Sequence, residues 1–387
     1  MAMASSIAHD VVAHGVDAHD VDAHGIENDD AADRGADSKP IDLALFGVGR
    51  WGTHLLRNFC AHPRVRLRAV VEASDERLRA LRTELPESVA LVSDGEAALR
   101  LEGLEACAIA TPAATHYALI EAALKQGLHV LAEKPLTLDV ASSQALCDLA
   151  AQQQRQLVID HTYLFHGAVH AGKAAFSNIG KPRYGYATRT HLGPVRRDVD
   201  ALWDLAIHDI SIFNHWLGET PTHVQAQGSS WLQPSVQMPV QMPVQISQSP
   251  YGLADVVWCR LQYPGGFQAT IHLCWANPDK QRRLCVVGDA GTLVFDEMNQ
   301  AQPLVWQKGD FLAQDGWFTP QNMETAVIEV PPVEPLRAVC DHFVDCIDSG
   351  SGDRSDISSG EIGTALVAVL VALSASMNAK GEWIAVE

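Results

Sequence analysis

Asp204 and His208 stand four residues apart in the run Trp203-Asp204-Leu205-Ala206-Ile207-His208-Asp209. On a helix that spacing puts both side chains on one face. An imidazole that is neutral near physiological pH, with a carboxylate beside it, is suited to taking a proton from an alcohol. Standing alone, such a pair is more often structural than catalytic. Lys134 in Glu133-Lys134-Pro135 follows an apolar run, Leu128 to Ala132. The proline holds Lys134 out of the helical region and points it away from a following helix. A lone lysine in this position is ordinarily a solvated surface charge. Beside a proton acceptor it would stabilise an alkoxide.

A third group of residues supplies a reason for the first two to matter. Gly47-Val48-Gly49-Arg50-Trp51-Gly52 leaves an apolar run, Ile41 to Phe46, and enters a helical pattern. In that setting the glycines allow a tight turn and close approach of backbone to a pyrophosphate, which the helix N-terminus then faces. Glu72 lies 25 residues after Gly47, at the end of the next apolar run. A carboxylate there suits both ribose hydroxyls of NAD and repels a 2′-phosphate, so NAD is expected rather than NADP; Arg77 nearby softens that preference. Thr111-Pro112 ends a further buried run, at the level where a loop passes the nicotinamide half of such a cofactor. A plain strand-ending turn is an equal reading of that dipeptide.

The elements that must carry these groups alternate. Strands are expected at 41–46, 65–71, 106–110, 128–132 and 156–161. Helices are expected at 50–60, 75–83, 116–126 and 139–153, the third of these closed by Gly127 as a C-terminal cap. This alternation implies right-handed βαβ units and a parallel sheet. It predicts a dinucleotide-binding domain over 39–161 with Lys134 at the carboxyl end of a strand, where open sheets hold ligands. The rhythm then changes. A long strand at 181–192 and a helix over 201–217 precede strand-like runs near 222–232, 253–263, 266–275, 282–287 and 291–296. Helices near 334–349 and 359–379 close the chain. The fold class is therefore α/β, with a second α+β domain over 162–387 built on a large, mostly antiparallel open sheet.

Two segments stand apart. Residues 1–38 are polar and acidic, with His9, His14, His19 and His24 each following Ala. A period of five fits neither helix nor strand. A repeat-expanded, disordered solvated tail is expected, with a metal-chelating tail as the alternative. Residues 236–245 repeat Val-Gln-Met-Pro, and the recurring prolines exclude a central strand. They read as an insertion over about 233–250, with a partner-binding loop as the alternative.

Composition limits the partners. The formal charge is −19; the first 38 residues carry nine acids and one base, leaving about −11 for the remainder. Nucleic acid is not expected, since phosphate binding needs clustered Lys and Arg. The eight cysteines include no CxxC pair, so buried reduced thiols are expected and a metal cluster is not. No basic start leads into an apolar leader, and the run 362–375 is too short and interrupted to span a bilayer. A cytoplasmic protein without membrane attachment is the expectation.

Taken together, the glycine turn, Glu-Lys-Pro about 85 residues on and Asp-x-x-x-His about 70 beyond resemble the Gfo/Idh/MocA family of oxidoreductases. The resemblance covers about residues 40–384. It implies a Rossmann domain followed by an α/β domain whose open sheet often forms the interface of a dimer or tetramer. Gly-Val-Gly-Arg-Trp-Gly, Arg57-Asn58-Phe59, and Arg189, Gly193 and Asp198 before Trp203 are similar to a sugar-nucleotide branch, whose members oxidise the 3-hydroxyl of UDP-N-acetylglucosamine or its uronic acid. Ile207 and Glu72 depart from it, where Pro and Asp are commoner. By this resemblance Lys134 holds the reacting hydroxyl, His208 is the general base and Asp204 contacts the substrate or orients the site. Gly47, Gly49, Arg50, Trp51, Gly52, Glu72, Thr111, Pro112 and Glu133 line the cofactor with Lys134, while His161, Tyr163 and Arg189 contact substrate. No metal is implied. The expected function is hydride transfer between a sugar or sugar-nucleotide hydroxyl and NAD. An inositol or aldose dehydrogenase of the same fold is one alternative, and a non-catalytic dinucleotide sensor is the other.

Overall fold

Every residue of β1, Ile41–Phe46, is buried, which an apolar strand achieves only in the middle of a sheet covered on both faces. The computed structural model describes residues 39–233, 252–349 and 357–387 and bears this out. β1 lies between β2, Val65–Val71, and β4, Ala106–Ile109. Outside them are β3, Ala90–Val92, and then β5, His129–Glu133, and β6, Leu157–Asp160. The order β3-β2-β1-β4-β5-β6 is parallel throughout. The chain reverses direction across the sheet between β1 and β4, which opens a crevice at their carboxyl ends. The tail and the Val-Gln-Met-Pro insertion fall outside the described residues.

A second sheet is laid around β7, Pro182–Leu192. On one side β7 pairs in parallel with β10, Gln268–Cys274, followed by β9, Val256–Gln262, β8, His223–Ser229, and the short β15, Ile384–Ala385. On the other side are β11, Ala276–Gly288, β12, Thr292–Asp296, β13, Leu304–Gln314, and β14, Trp317–Val327. All pairs but β7–β10 are antiparallel. The helix Ile207–Leu217 covers the inner face; at Gly185 a Cβ would come 2.7 Å from the Phe213 ring, so glycine there sets how closely helix and sheet approach.

The closing helices tie back to the earlier part of the chain. Pro335–Ser349 buries Leu336, Val339, Cys340 and Phe343 in the same cluster as Leu55, Leu56 and Phe59 of the helix Gly52–Ala61. Gly360–Asn378 is long and apolar enough by composition to cross a membrane, yet Leu366, Val367, Val369, Leu370 and Leu373 are buried against the protein's own core.

Two expectations need correction. The stretch 297–333, in which no element was expected, forms the hairpin β13–β14. Its turn is Asp315-Gly316, both with positive φ (51° and 80°), a two-residue connection whose twist matches the strands. The signal was an Asp-Gly pair between apolar runs, obscured by Pro320 and by side chains that face solvent: Trp317 and Phe318 are 78% and 71% exposed. The helix expected over 201–217 also does not begin as an α-helix. Leu202–Ala206 form one π turn, which gives way to the α-helix at Ile207. The Asp204–His208 pair therefore straddles a widened turn, a feature frequent at functional sites.

Candidate active site

The glycine turn is built from close backbone contacts. Gly47 has φ +83°, and a Cβ there would meet the Ala110 oxygen at 2.8 Å; at Gly52 it would stand 2.1 Å from the Gly47 oxygen. At Gly49, by contrast, a Cβ would meet nothing within 4 Å. The loop is thus rigid behind and open in front, a cradle that fits a pyrophosphate and that a side chain would fill. Arg50 and Trp51 are exposed at its rim. Glu72 accepts hydrogen bonds from the N–H groups of Val48 (2.9 Å) and Ser74 (3.0 Å), fixing the turn while keeping lone pairs for ribose hydroxyls. Arg77 donates to the Val48 oxygen and to Thr53 Oγ1, both at 2.9 Å, so its guanidinium braces the turn.

The ends of β4, β5 and β6 bring the next groups together. Thr111 and Pro112 follow β4, and Thr111 Oγ1 bonds Thr115 Oγ1 at 2.7 Å. His116, fully buried, places one ring nitrogen 2.9 Å from the Thr111 oxygen and the other 2.8 Å from the Pro135 oxygen. It bridges the Thr-Pro loop and the Glu-Lys-Pro loop. Lys134 leaves β5, only 14% of its side chain exposed. Glu133 and Asp160 end neighbouring strands in register, and the Trp51 indole reaches Asp160 Oδ2 at 3.3 Å. His161 follows, 2% exposed, with Nε2 buried and unpartnered among the described residues. Burial and then the Lys134 charge push its pKa down to about 3.

Lys134 reaches across to the second half of the chain. Its Nζ donates to the Asp204 backbone oxygen at 2.9 Å and lies 3.5 Å from Asp204 Oδ1. Arg196 Nη1 bonds the same Oδ1 at 3.2 Å. Burial alone would raise the Asp204 carboxyl; Lys134 and Arg196 outweigh it and hold the group below its ordinary value. His208 lies with its ring 4.9 Å from that of Tyr163; its backbone oxygen accepts from Ser211 Oγ at 2.7 Å, and its imidazole makes no hydrogen bond among the described residues. Burial, then Lys134, Arg189 and Arg282, hold its imidazole well below the ordinary histidine range. It is therefore neutral at physiological pH, as a proton acceptor must be.

Tyr163 and Arg189 belong to one buried network. Arg189 bonds both oxygens of Asp209 at 3.0 Å and donates to the Tyr163 hydroxyl at 2.8 Å, while its Cζ lies 4.4 Å from the Tyr163 ring centroid. The same hydroxyl donates to Glu297 and accepts from Arg282 at 3.1 Å. Arg189 is 3% exposed, so its polar groups fix Tyr163 and Asp209 from within the protein. The sequence reading singled out Tyr163 and Arg189 but missed their partners Asp209, Arg282 and Glu297, as well as Asp160, Arg196 and His116. Arg282 faces Arg189 across β7 and β11, a pairing only the strand register reveals. His116 opens a helix and carried no motif; Asp160 was hidden inside an apolar strand.

The chain matches the description "Oxidoreductase family, NAD-binding Rossmann fold" over residues 41–161 and "GFO/IDH/MocA C-terminal domain" over 165–294. It is 32% identical over 190 residues to the UDP-N-acetylglucosamine 3-dehydrogenase of Acidithiobacillus ferrooxidans, an alignment spanning 48% of this chain and 56% of that protein. Thus the chain spans little more than half the length of that curated relative. The solved structure of the dehydrogenase from the same organism superimposes with a TM-score of 0.72 at 22% identity, covering 88% of this chain and 99% of the other. An inositol dehydrogenase homolog from Azotobacter vinelandii, solved with NADH and myo-inositol, gives 0.70 at 18% identity, covering 90% and 98%. At these identities the superpositions speak for the fold.

Proposed function

The chain belongs to the Gfo/Idh/MocA family of NAD-binding oxidoreductases, and on that premise we propose that it is an NAD-dependent dehydrogenase of a sugar or sugar-nucleotide hydroxyl, with the 3-hydroxyl of a UDP-sugar as its leading substrate. The observation that carries the reading is the meeting of Lys134, from the end of a parallel strand, with Asp204 on the turn that leads to a neutral His208. The 32% identical relative that acts on UDP-N-acetylglucosamine supports the choice of substrate.

In this reading Lys134 binds the reacting hydroxyl and favours its alkoxide through charge. His208 Nε2 or Nδ1 takes the hydroxyl proton. Asp204 holds Lys134 and Arg196 in place. His161 meets the substrate through its unpartnered nitrogen, and Arg189 positions Tyr163. The bound nicotinamide ring supplies the hydride acceptor. Gly47, Gly49 and Gly52 cradle the pyrophosphate, Arg50 and Trp51 flank it, and Glu72 binds the ribose; Thr111, Pro112 and Glu133 face the ring. Residues 39–161 bind the dinucleotide and 162–387 the substrate, with the exposed face of the second sheet joining copies into a homo-oligomer.

An inositol dehydrogenase is the second reading, favoured by the scyllo-inositol 2-dehydrogenase (NAD(+)) of Bacillus subtilis, 23% identical across 80% of this chain. The test is to purify the protein, identify any co-purified nucleotide by mass spectrometry, and follow NADH formation with UDP-sugars, free aldoses and inositols. Turnover of a UDP-sugar alone supports the first reading. Turnover of inositols alone replaces it with the second, and dinucleotide binding without any turnover makes the protein a sensor.

A further inference from the structure

Glu133 and Asp160 close β5 and β6 in register, so their carboxyl groups stand side by side at the crevice end of the parallel sheet. Glu133 is 9% exposed and Asp160 not at all, and each carboxyl acts on the protonation of the other. Two buried carboxylates in contact cannot both be ionised at ordinary cost, so the pair holds a proton between them. The surrounding donors decide where the charge rests. Asp160 accepts from Thr162 Oγ1 at 2.6 Å and from Trp51 Nε1 at 3.3 Å. Glu133 Oε1 is buried and has no partner among the described residues. Asp160 thus has two side-chain donors against the single Lys134 backbone N–H on Glu133, so Glu133 is the protonated member and Asp160 the anion.

Burial first, and then the Asp160 charge, push the Glu133 carboxyl well above its usual range; burial raises Asp160 as well. Three other titratable groups act on the pair or lie beside it. Lys134 adjoins Glu133 and attracts both carboxylates. His161 follows Asp160 and is held neutral. Cys340, from the helix Pro335–Ser349, is a buried thiol whose pKa burial and then Asp160 raise. Neither the imidazole nor the thiol brings charge, so the state of the pair answers to Lys134 and to whatever charge enters the crevice.

We propose that Glu133 and Asp160 form one buried acid whose second proton follows the charge of the bound dinucleotide: one proton is held when the nicotinamide ring is oxidised and cationic, and two when it is reduced and neutral. The inference rests on the dinucleotide reading above. A cation near the crevice stabilises the singly ionised pair, and its loss leaves a desolvated negative charge that a solvent proton neutralises. The only bond formed is O–H on a carboxylate oxygen, and the proton comes from bulk water.

Calorimetric titration of the full chain with NAD and with NADH, each in two buffers of different ionisation enthalpy, counts protons taken up on binding. About one proton more is expected with NADH than with NAD in the neutral range. In the double variant Glu133→Gln with Asp160→Asn neither position can take up a proton, and the difference is expected to vanish. Equal proton counts in the wild-type protein overturn the inference, and so does a difference that persists in the double variant. If that variant does not fold, infrared difference spectra of the two wild-type complexes decide: the reduced complex gains a protonated-carboxyl C=O band, and its absence overturns the proposal. Binding of neither nucleotide overturns the dinucleotide reading itself, and this inference with it.

Discussion

Lys134 Nζ rests 2.9 Å from the backbone oxygen of Asp204, and this bond joins the carboxyl end of the parallel sheet to the π turn in front of His208. The ammonium has two partners on Asp204 and keeps a third N–H to offer. Lys134→Ala is therefore expected to lower turnover by at least ~100-fold, the low end of a proton-transfer contribution. The pyrophosphate cradle lies in another loop, so NADH binding, followed by fluorescence titration, is expected to persist. Unchanged turnover would remove Lys134 from the chemistry.

As the proposed general base, His208 is expected to set the acidic limb of the pH–rate profile. A general base works only unprotonated, and burial followed by three nearby cations depresses this imidazole. The sign follows: the wild-type rate is flat through neutrality and falls only as pH drops through a pKa well below the ordinary histidine value of about 6.5. His208→Asn is expected to be slower by at least ~100-fold and to lose that limb. A variant that keeps the same limb assigns it to another group.

His116 is expected to act on order more than on chemistry. Its two ring nitrogens face carbonyl oxygens of separate loops, those of Thr111 and Pro135. The burial-depressed, neutral imidazole has a single N–H to donate to one of them, so removing the ring leaves one buried acceptor unpaired, at a cost of about 1–3 kcal/mol. His116→Ala should lower the urea midpoint accordingly and speed hydrogen exchange at the amides of Ala113 and Leu136. Exchange rates equal to wild type at both amides would show that the bridge holds neither loop.

Much of this site was legible before the structure because its groups sit at element boundaries. Gly47, Lys134 and His208 each follow or enter a run whose periodicity is plain, and the parallel sheet follows from that alternation. What the sequence hid has two causes. The hairpin Leu304–Val327 faces solvent along much of its length, so it lacks the apolar alternation that marks a half-covered strand. Asp160, Asp209, Arg282 and Glu297 act through partners 15 to 134 residues away, and no local pattern encodes a cross-strand neighbour. The π turn Leu202–Ala206 was invisible for a related reason: one extra residue in a turn changes the pairing of backbone groups but not the residue types.

The Arg189–Asp209 pair offers the sharpest separation of structural from catalytic effects. Side-chain exposures are 4% and 2%, and the two parallel bonds of 3.0 Å fix the guanidinium plane that also holds Tyr163. Taking two charges out of water is expensive, and the attraction repays it only while both are present. Arg189→Met strands the Asp209 carboxylate and is expected to cost about 3–5 kcal/mol in urea unfolding. Arg189→Met with Asp209→Leu removes both charges, and should recover most of that loss because no uncompensated ion remains. Tyr163 loses a donor to its hydroxyl in either variant, so both should weaken substrate binding alike and raise KM more than they lower kcat. A double variant no more stable than Arg189→Met would mean that packing of the arginine stem, and not the stranded charge, dominates the cost.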